Sequence, residues 1–255
     1  MSGPRVALLG DVHGNLPALE AVLAHARENG AEAFWNTGDS VGYGPFPEES
    51  VATLRALGAV HVAGNIDRKV LKFPSKDEKW RIKKRPEKYR ALAWAWRHLS
   101  DEAKEWLDAL PDLLRLEVAG RRIALTHGTP DSIKEPLFAD TPVERLREVA
   151  EEAAAEVVLC GHSHDAFHRE LATAWIVTPG SVGRQDDGDP RARYALVDFV
   201  PDGLVVRHHR LEYDVEAVCA ALRRGRLPEA VAEMFRLGRS LKWVLENAPV
   251  GASRA

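Results

Sequence analysis

Residues 157–167, Val-Val-Leu-Cys-Gly-His-Ser-His-Asp-Ala-Phe, decide how this chain is read. Four apolar residues, two of them β-branched, fit a buried strand. The run stops at Gly161, and His162 and His164 follow. A lone histidine there would read as a packed core residue. A pair at a strand end raises a second reading, that the imidazoles hold an ion.

Four other apolar runs stop in the same way. Val6–Leu9 leads through Gly10 to Asp11 and His13, and Ala33–Thr37 leads through Gly38 to Asp39. Ala59–Ala63 leads through Gly64 to Asn65, and Ile123–Thr126 runs directly into His127. Functional side chains of open α/β sheets gather at the carboxyl ends of strands. Asp11, His13, Asp39, Asn65, His127, His162 and His164 are therefore expected to converge. Nitrogen and oxygen donors without a thiolate suit Mn, Fe, Zn, Co or Ni better than Mg or Ca. Seven donors exceed one ordinary transition-metal centre and suit two centres that share a carboxylate.

The pattern around these ends predicts an α/β fold. Leu16, Leu19, Leu23 and Ala26 recur at helical spacing behind Asn15 as N-cap. A helix over 48–57 closes at Gly58. The resulting β-α-β-α-β order predicts a mostly parallel sheet flanked by helices. Residues 68 to about 112 interrupt it with helical composition and Ser100 as a cap, and read as a cap insertion. Within it, Lys76–Arg90 holds eight Lys/Arg against three Asp/Glu and reads as a solvated face. Trp94 and Trp96 read as packing inside the cap. Strands are expected at 113–118 and 122–126, joined by a hairpin at Ala119-Gly120-Arg121. Thr141-Pro142-Val143-Glu144 reads as a capping box for a helix to about Ala155. Further strands are expected at 157–160, 174–178, 193–199 and 203–210. Helices follow at 214–224 and 228–246, the second with Val231, Met234, Leu237, Leu241 and Val244 on one face.

Composition sets bounds. The chain has 255 residues, 45% hydrophobic and 29% charged, with a formal net charge of −3. That balance weighs against nucleic acid as partner. Cys160 and Cys219 lie in apolar segments, so a reducing, cytoplasmic setting is expected rather than a disulfide framework. No apolar run reaches a membrane span, and the start reads as a strand rather than a signal segment.

The ordered motifs Asp11-x-His13, Gly38-Asp39, Gly64-Asn65, His127-Gly128 and Gly161-His162-x-His164 resemble the calcineurin-like metallophosphoesterase superfamily. Gly38-Asp39-Ser40-Val41-Gly42-Tyr43-Gly44-Pro45 and Pro179-Gly180-Ser181-Val182-Gly183 are similar to its compact bacterial phosphodiesterase-like branch. The resemblance implies a four-layer α-β-β-α sandwich of two mixed sheets, here one domain over 1–255 with the helical cap insertion at 68–112 and C-terminal helices at 214–246. It implies two divalent transition-metal ions. Asp11, His13, Asp39 and His164 would hold one, and Asp39, Asn65, His127 and His162 the other. The catalytic centre would be Asp39 and Asn65, and a metal-bridging hydroxide would attack in line a phosphodiester or activated phosphomonoester of a small phosphorylated substrate.

One position departs from that family. Many members carry histidine after the metal-binding asparagine, where this chain has Ile66. Isoleucine donates no proton, so acidic leaving groups are expected to react best. Arg68, Asp67, His168 and Arg184 are the candidates to take its place. Arg68 and Arg184 are the candidate substrate contacts, and Asp186-Asp187-Gly188-Asp189 reads as solvated loop. His168 and Asp165 read as strand surface. The other readings left open are a metal-binding scaffold with little turnover and a nuclease.

Overall fold

In the computed structural model, residues 3–247 are described. The single domain expected over 1–255 therefore extends at residues 1–2 and 248–255 beyond the described residues. The first half runs β1 (Arg5–Leu9), α1 (Leu16–Glu28), β2 (Ala33–Asn36), α2 (Pro47–Ala56), β3 (Val60–His61) and four helices. These are α3 (Asn65–Leu71), α4 (Phe73–Lys83), α5 (Pro86–Arg97) and α6 (Asp101–Ala109). Then come β4 (Leu113–Val118), β5 (Arg121–Thr126), α7 (Val143–Ala153), β6 (Val157–Leu159), β7 (Ala166–Glu170) and β8 (Trp175–Pro179). The chain continues with β9 (Ala192–Val200), β10 (Gly203–Leu211), α8 (Val215–Arg224), α9 (Glu229–Leu237) and α10 (Leu241–Asn247).

Alternation along the strands makes the layers. Side chains on a strand point to opposite faces in turn, so a run apolar at every position must be covered on both sides. Val6 and Leu8 of β1 pack against Ile123, Leu125, Val157 and Leu159 from β5 and β6. Their neighbours Ala7 and Leu9 pack instead on Leu19, Val22 and Leu23 of α1. On the far side, Ala124 and Val158 meet Leu146 and Val149 of α7. Two mixed five-stranded sheets result, ordered β10-β9-β1-β2-β3 and β4-β5-β6-β8-β7, with helices outside each. Strands β1, β2 and β3 run parallel, as do β5, β6 and β8, so their carboxyl ends lie along the same edge of each sheet. This is the α-β-β-α arrangement expected.

Several local expectations change. Helix α3 starts at Asn65, three residues earlier than the insertion was drawn, so a candidate ligand opens the helical segment. That segment and the C-terminal helices form one layer, in which Val70, Phe73, Leu92 and Leu107 pack with Val218, Leu222, Val231 and Phe235. The helix expected over 228–246 is two helices, because Gly238 takes φ +58° and reverses the chain after α9. Thr141 does not cap α7; its hydroxyl accepts from the Phe138 N–H, and Pro142 occupies the cap position. Strand β7 lacks an apolar alternation of its own and forms by pairing with β8. The hairpin is as expected, with Ala119 and Gly120 both at positive φ, as a two-residue primed turn requires.

Candidate metal centre

The strand ends leave the sheets in strained turns. Among the described residues eight non-glycine residues have positive φ, and five of them are Asp11, His13, Asp39, His162 and His164, at 54–70°. A non-glycine residue held there costs roughly 1–3 kcal/mol, and such residues cluster where function demands a particular side-chain direction. Neighbouring turns hold one another: Asp11 N–H donates to Gly38 O, His13 N–H to Asp39 O and Gly183 N–H to Asp11 O. At Gly64 there is no room for a side chain, since a Cβ would collide with the Asp39 carboxylate.

The structure brings all seven expected residues together. Asp11, His13, Asp39, Asn65, His127 and His164 are buried, and His162 is partly exposed. Asp11, His13 and His164 offer donor atoms within 4.8 Å of one another, and so do Asp11, Asp39 and His127. His13 Nε2 lies 3.3 Å from His164 Nε2, and His164 Nε2 lies 3.3 Å from Asp11 Oδ1. Asp39 Oδ2 stands 3.8 Å from His13 Nε2 and 3.5 Å from His127 Nε2. The Asn65 amide nitrogen is 3.2 Å from His127 Nε2 and 2.7 Å from His162 Nδ1.

Two of the four imidazoles are hydrogen-bonded through their outer nitrogen, and a third turns its outer nitrogen to a carboxylate. His127 Nδ1 donates to Thr37 O at 2.8 Å, His162 Nε2 donates to Lys134 O at 3.0 Å, and His164 Nδ1 faces Asp186 Oδ2 at 3.2 Å. Anchoring one ring nitrogen sets the orientation and leaves the other free toward the cluster, as in metal-ligating histidines. Asp11 Oδ2 accepts the His162 backbone N–H, while the buried Oδ1 has no hydrogen-bond partner. The Ile66 backbone N–H donates to Asp39 Oδ1 at 2.6 Å, so position 66 serves through its main chain.

Electrostatics show what the cluster calls for. Burial alone would drive protons off the histidines, yet Asp39 outweighs it at His127 and Asp11 outweighs it at His164, raising both to about 9. Burial opposes charge on Asp11 and Asp39 too, and the imidazoles override it to keep both carboxylates below their ordinary range. His13, pushed down to about 3 chiefly by burial, is a neutral donor. Positive charge is favoured between the two carboxylates, and a divalent ion can replace the protons there. The unpartnered Asp11 oxygen and the nitrogen and oxygen donors fit that role.

Other expected residues separate. Arg68 directs all five of its N–H donors to Asp112 and to the carbonyls of Leu107, Asp108 and Leu110. Asp67 is buried and accepts the backbone N–H groups of Gly64 and Val41; burial and Asp39 raise it to about 7. His168 is exposed on β7, stacked with Trp175 and His208. Arg184 lies 4.8 Å over the Tyr43 ring, whose edge meets His13 at 5.5 Å, and its Nε has no partner. The acidic run is mostly exposed loop as expected, but its carboxylates are paired. Asp186 joins Arg184 and His164, and Asp187 and Asp189 pair with Arg193, Arg191 and Arg210. Asp186 left no mark in the sequence beyond a charge in a loop. Lys69, also missed, donates to Asn65 Oδ1 at 2.6 Å; its i,i+4 spacing from Asn65 on α3 was the available signal.

The chain is 30% identical over 253 residues to an uncharacterized protein of Methanocaldococcus jannaschii, covering 92% of this chain and 98% of that one. The crystal structure of a metallophosphoesterase from Sphaerobacter thermophilus matches with a TM-score of 0.73 at 29% identity, over 92% of this chain and 99% of that one. A hypothetical protein of Pyrococcus horikoshii shares the fold, with a TM-score of 0.82 at 23% identity over the same shares. The sequence model described as the calcineurin-like phosphoesterase superfamily domain matches residues 5–202, and the chain belongs to that superfamily, as a metal-dependent phosphoric ester hydrolase.

Proposed function

We propose that the seven clustered residues hold two divalent transition-metal ions, drawn from Mn, Fe, Zn, Co and Ni. The chain would use them to hydrolyse a phosphodiester or an activated phosphomonoester of a small molecule. The observation that carries this reading is the position of Asp39 Oδ2, 3.8 Å from His13 Nε2 and 3.5 Å from His127 Nε2. One carboxylate thus serves Asp11, His13 and His164 on one hand and Asn65, His127 and His162 on the other. Ligation by Asn65 through oxygen requires its amide to turn and Lys69 to release it.

Two bound ions would supply an activated water and neutralise charge building on the phosphoryl oxygens. The protein's own part is to keep the donors aimed, through left-handed turns and anchored imidazoles. Neither cysteine is suited to attack phosphorus, since burial pushes Cys160 up to about 12 and Cys219 to about 11. Arg184, with a free Nε beside the cluster, is the side chain we assign to a phosphate oxygen. We treat the described chain as one unit in which the helical layer caps the strand ends.

Ile66 leaves the leaving group without a proton donor at that position. General acid catalysis contributes roughly 10²–10⁴-fold, so alkyl monoesters should fall behind nitrophenyl esters by about that factor. Metal analysis and a phosphoester panel test the reading together. About two metal equivalents per chain, chelator-sensitive hydrolysis of bis(p-nitrophenyl) phosphate and slow alkyl esters are expected. Bound metal with no turnover of any ester would make the protein a scaffold, and preferred cleavage of DNA or RNA would make it a nuclease.

A further inference from the structure

The cationic stretch at the α4–α5 turn, read from sequence as a solvated face, lines a cavity. Its volume is about 430 Å³, and its wall contains Lys83, Lys84, Arg85 and Lys88 together with Lys242 of α10 and Arg184. That volume is within the range of small-molecule sites. Six cationic side chains line it and no carboxylate does. Among the described residues, the one lysine paired with a carboxylate is Lys104. Arg85 approaches Glu246 only at 4.0 Å, and Lys84 lies over the Trp80 ring at 4.5 Å. Lys84 and Lys88 are half-buried, which a purely solvated face does not require. Lys84 is pushed below the usual lysine range by burial and by Lys88.

The cavity adjoins the metal cluster. Tyr43 and Arg184 line it, and the same Tyr43 ring packs its edge on His13. A single exposed ion pair contributes little, but several cations lining one concavity focus the field on an anion placed within it. A phosphate seated at the cluster itself leaves Lys83, Lys84, Lys88 and Lys242 without a counter-charge.

We propose that this cavity is a subsite for a second phosphate, so that the molecule hydrolysed at the cluster carries at least one further phosphate group besides the reacting one. This rests on the phosphoesterase reading above. The lysines of the α4–α5 turn bind the second phosphate, and Arg184 lies between the two sites.

Two nucleotides that differ by one phosphate test it. Binding of adenosine 3′,5′-bisphosphate and adenosine 5′-monophosphate is measured by calorimetry on the full chain, both with Mn²⁺ and without added metal. At low ionic strength the bisphosphate should bind at least about tenfold more tightly, and the advantage should shrink as salt screens the lysines. In Lys84→Gln/Lys88→Gln the affinity ratio should fall to within about twofold of unity. Lys242→Gln, on a separate helix, should lower the ratio part-way, which separates lost charge from damage to the α4–α5 turn. Equal affinity for both nucleotides in the unaltered chain, or a ratio that survives both variants, overturns the proposal. Hydrolysis of nitrophenyl esters without the affinity ratio would defeat the subsite and leave the phosphoesterase reading intact. The ratio without hydrolysis under any metal would defeat the phosphoesterase reading, and with it the substrate assignment, while leaving phosphate binding in the cavity.

Discussion

The strand-end cluster and the helical layer are both buried, but they are held by different physics. In the helical layer the buried groups are apolar, such as Phe73, Leu92, Leu107 and Phe235, and its helices sit in ordinary backbone conformations. In the cluster the buried groups are carboxylates and imidazoles, most of them on left-handed turns, and outer-nitrogen hydrogen bonds aim His127 and His162. Apolar cores tolerate volume-conserving exchange, usually at under about 1.5 kcal/mol. A buried polar cluster does not, because each donor or acceptor left without its partner costs about 1–3 kcal/mol, and more if charged. The contrast teaches that the same depth of burial means exchangeability in one region and fixed identity in the other.

Substitutions can break or sharpen that contrast. The largest effect is expected at Asp39→Asn, which removes the carboxylate shared by both ligand groups. Loss of an electrostatic element of this kind is worth about 3–4 kcal/mol, so kcat/KM should fall about 10²–10³-fold or more. Melting curves with and without Mn²⁺ should also converge in this variant. Near-normal activity would show that the cluster is as forgiving as the helices.

Asp186→Asn comes next. It weakens the hold on His164 Nδ1 and on Arg184 without touching the inward-facing nitrogen. Outer partners of this type contribute about 10–100-fold in metal affinity or activity, and a metal titration followed by calorimetry reads the change. In the helical layer, Arg68→Gln removes a guanidinium that ties α3 to Asp112 and to the end of α6. Stability should fall by about 1–3 kcal/mol in urea unfolding, with kcat/KM for bis(p-nitrophenyl) phosphate unchanged. A matching loss of activity would place Arg68 in the site after all.

The smallest effect at neutral pH belongs to His61→Gln. Burial holds His61 at about 4 in the folded chain, against about 6.5 when unfolded. Between those values the unfolded chain binds more protons, so stability is complete above about 6.5 and is lost as pH falls toward 4. The unaltered chain should lose about 1–3 kcal/mol over that interval on this account. The variant should melt with a flatter pH profile, part of the slope persisting through His208, which burial also holds at about 4. An unchanged profile would show that His61 is solvated in the folded state.

Much of the molecule was legible because its signals are local. An apolar run, a glycine and a donor stand in consecutive residues at Leu9-Gly10-Asp11 and Leu159-Cys160-Gly161-His162, and both proved to be strand ends at one cluster. The caps at Asn15 and Ser100 were legible for the same reason, each accepting a backbone N–H three residues on. Strand β7 was not, because its pairing with β8 supplies the order that its own residues lack. The break at Gly238 was hidden because the apolar spacing continues across it into α10. The partners of Arg68 and Asp186 were hidden for a shared reason: a charged residue on a helix or loop looks the same in sequence whether it meets solvent, a carbonyl or an imidazole.

The sequence by itself determined the α/β architecture and the seven strand-end donors, since both are written in neighbouring residues and in the period of the apolar ones. Only the tertiary structure decided that Asp39 stands between His13 and His127, that Asp186 backs His164, and that four lysines and two arginines share one cavity. Those contacts join segments that meet only when the two sheets and the helical layer pack. Their distances are set by the packing of whole layers, which no local propensity encodes.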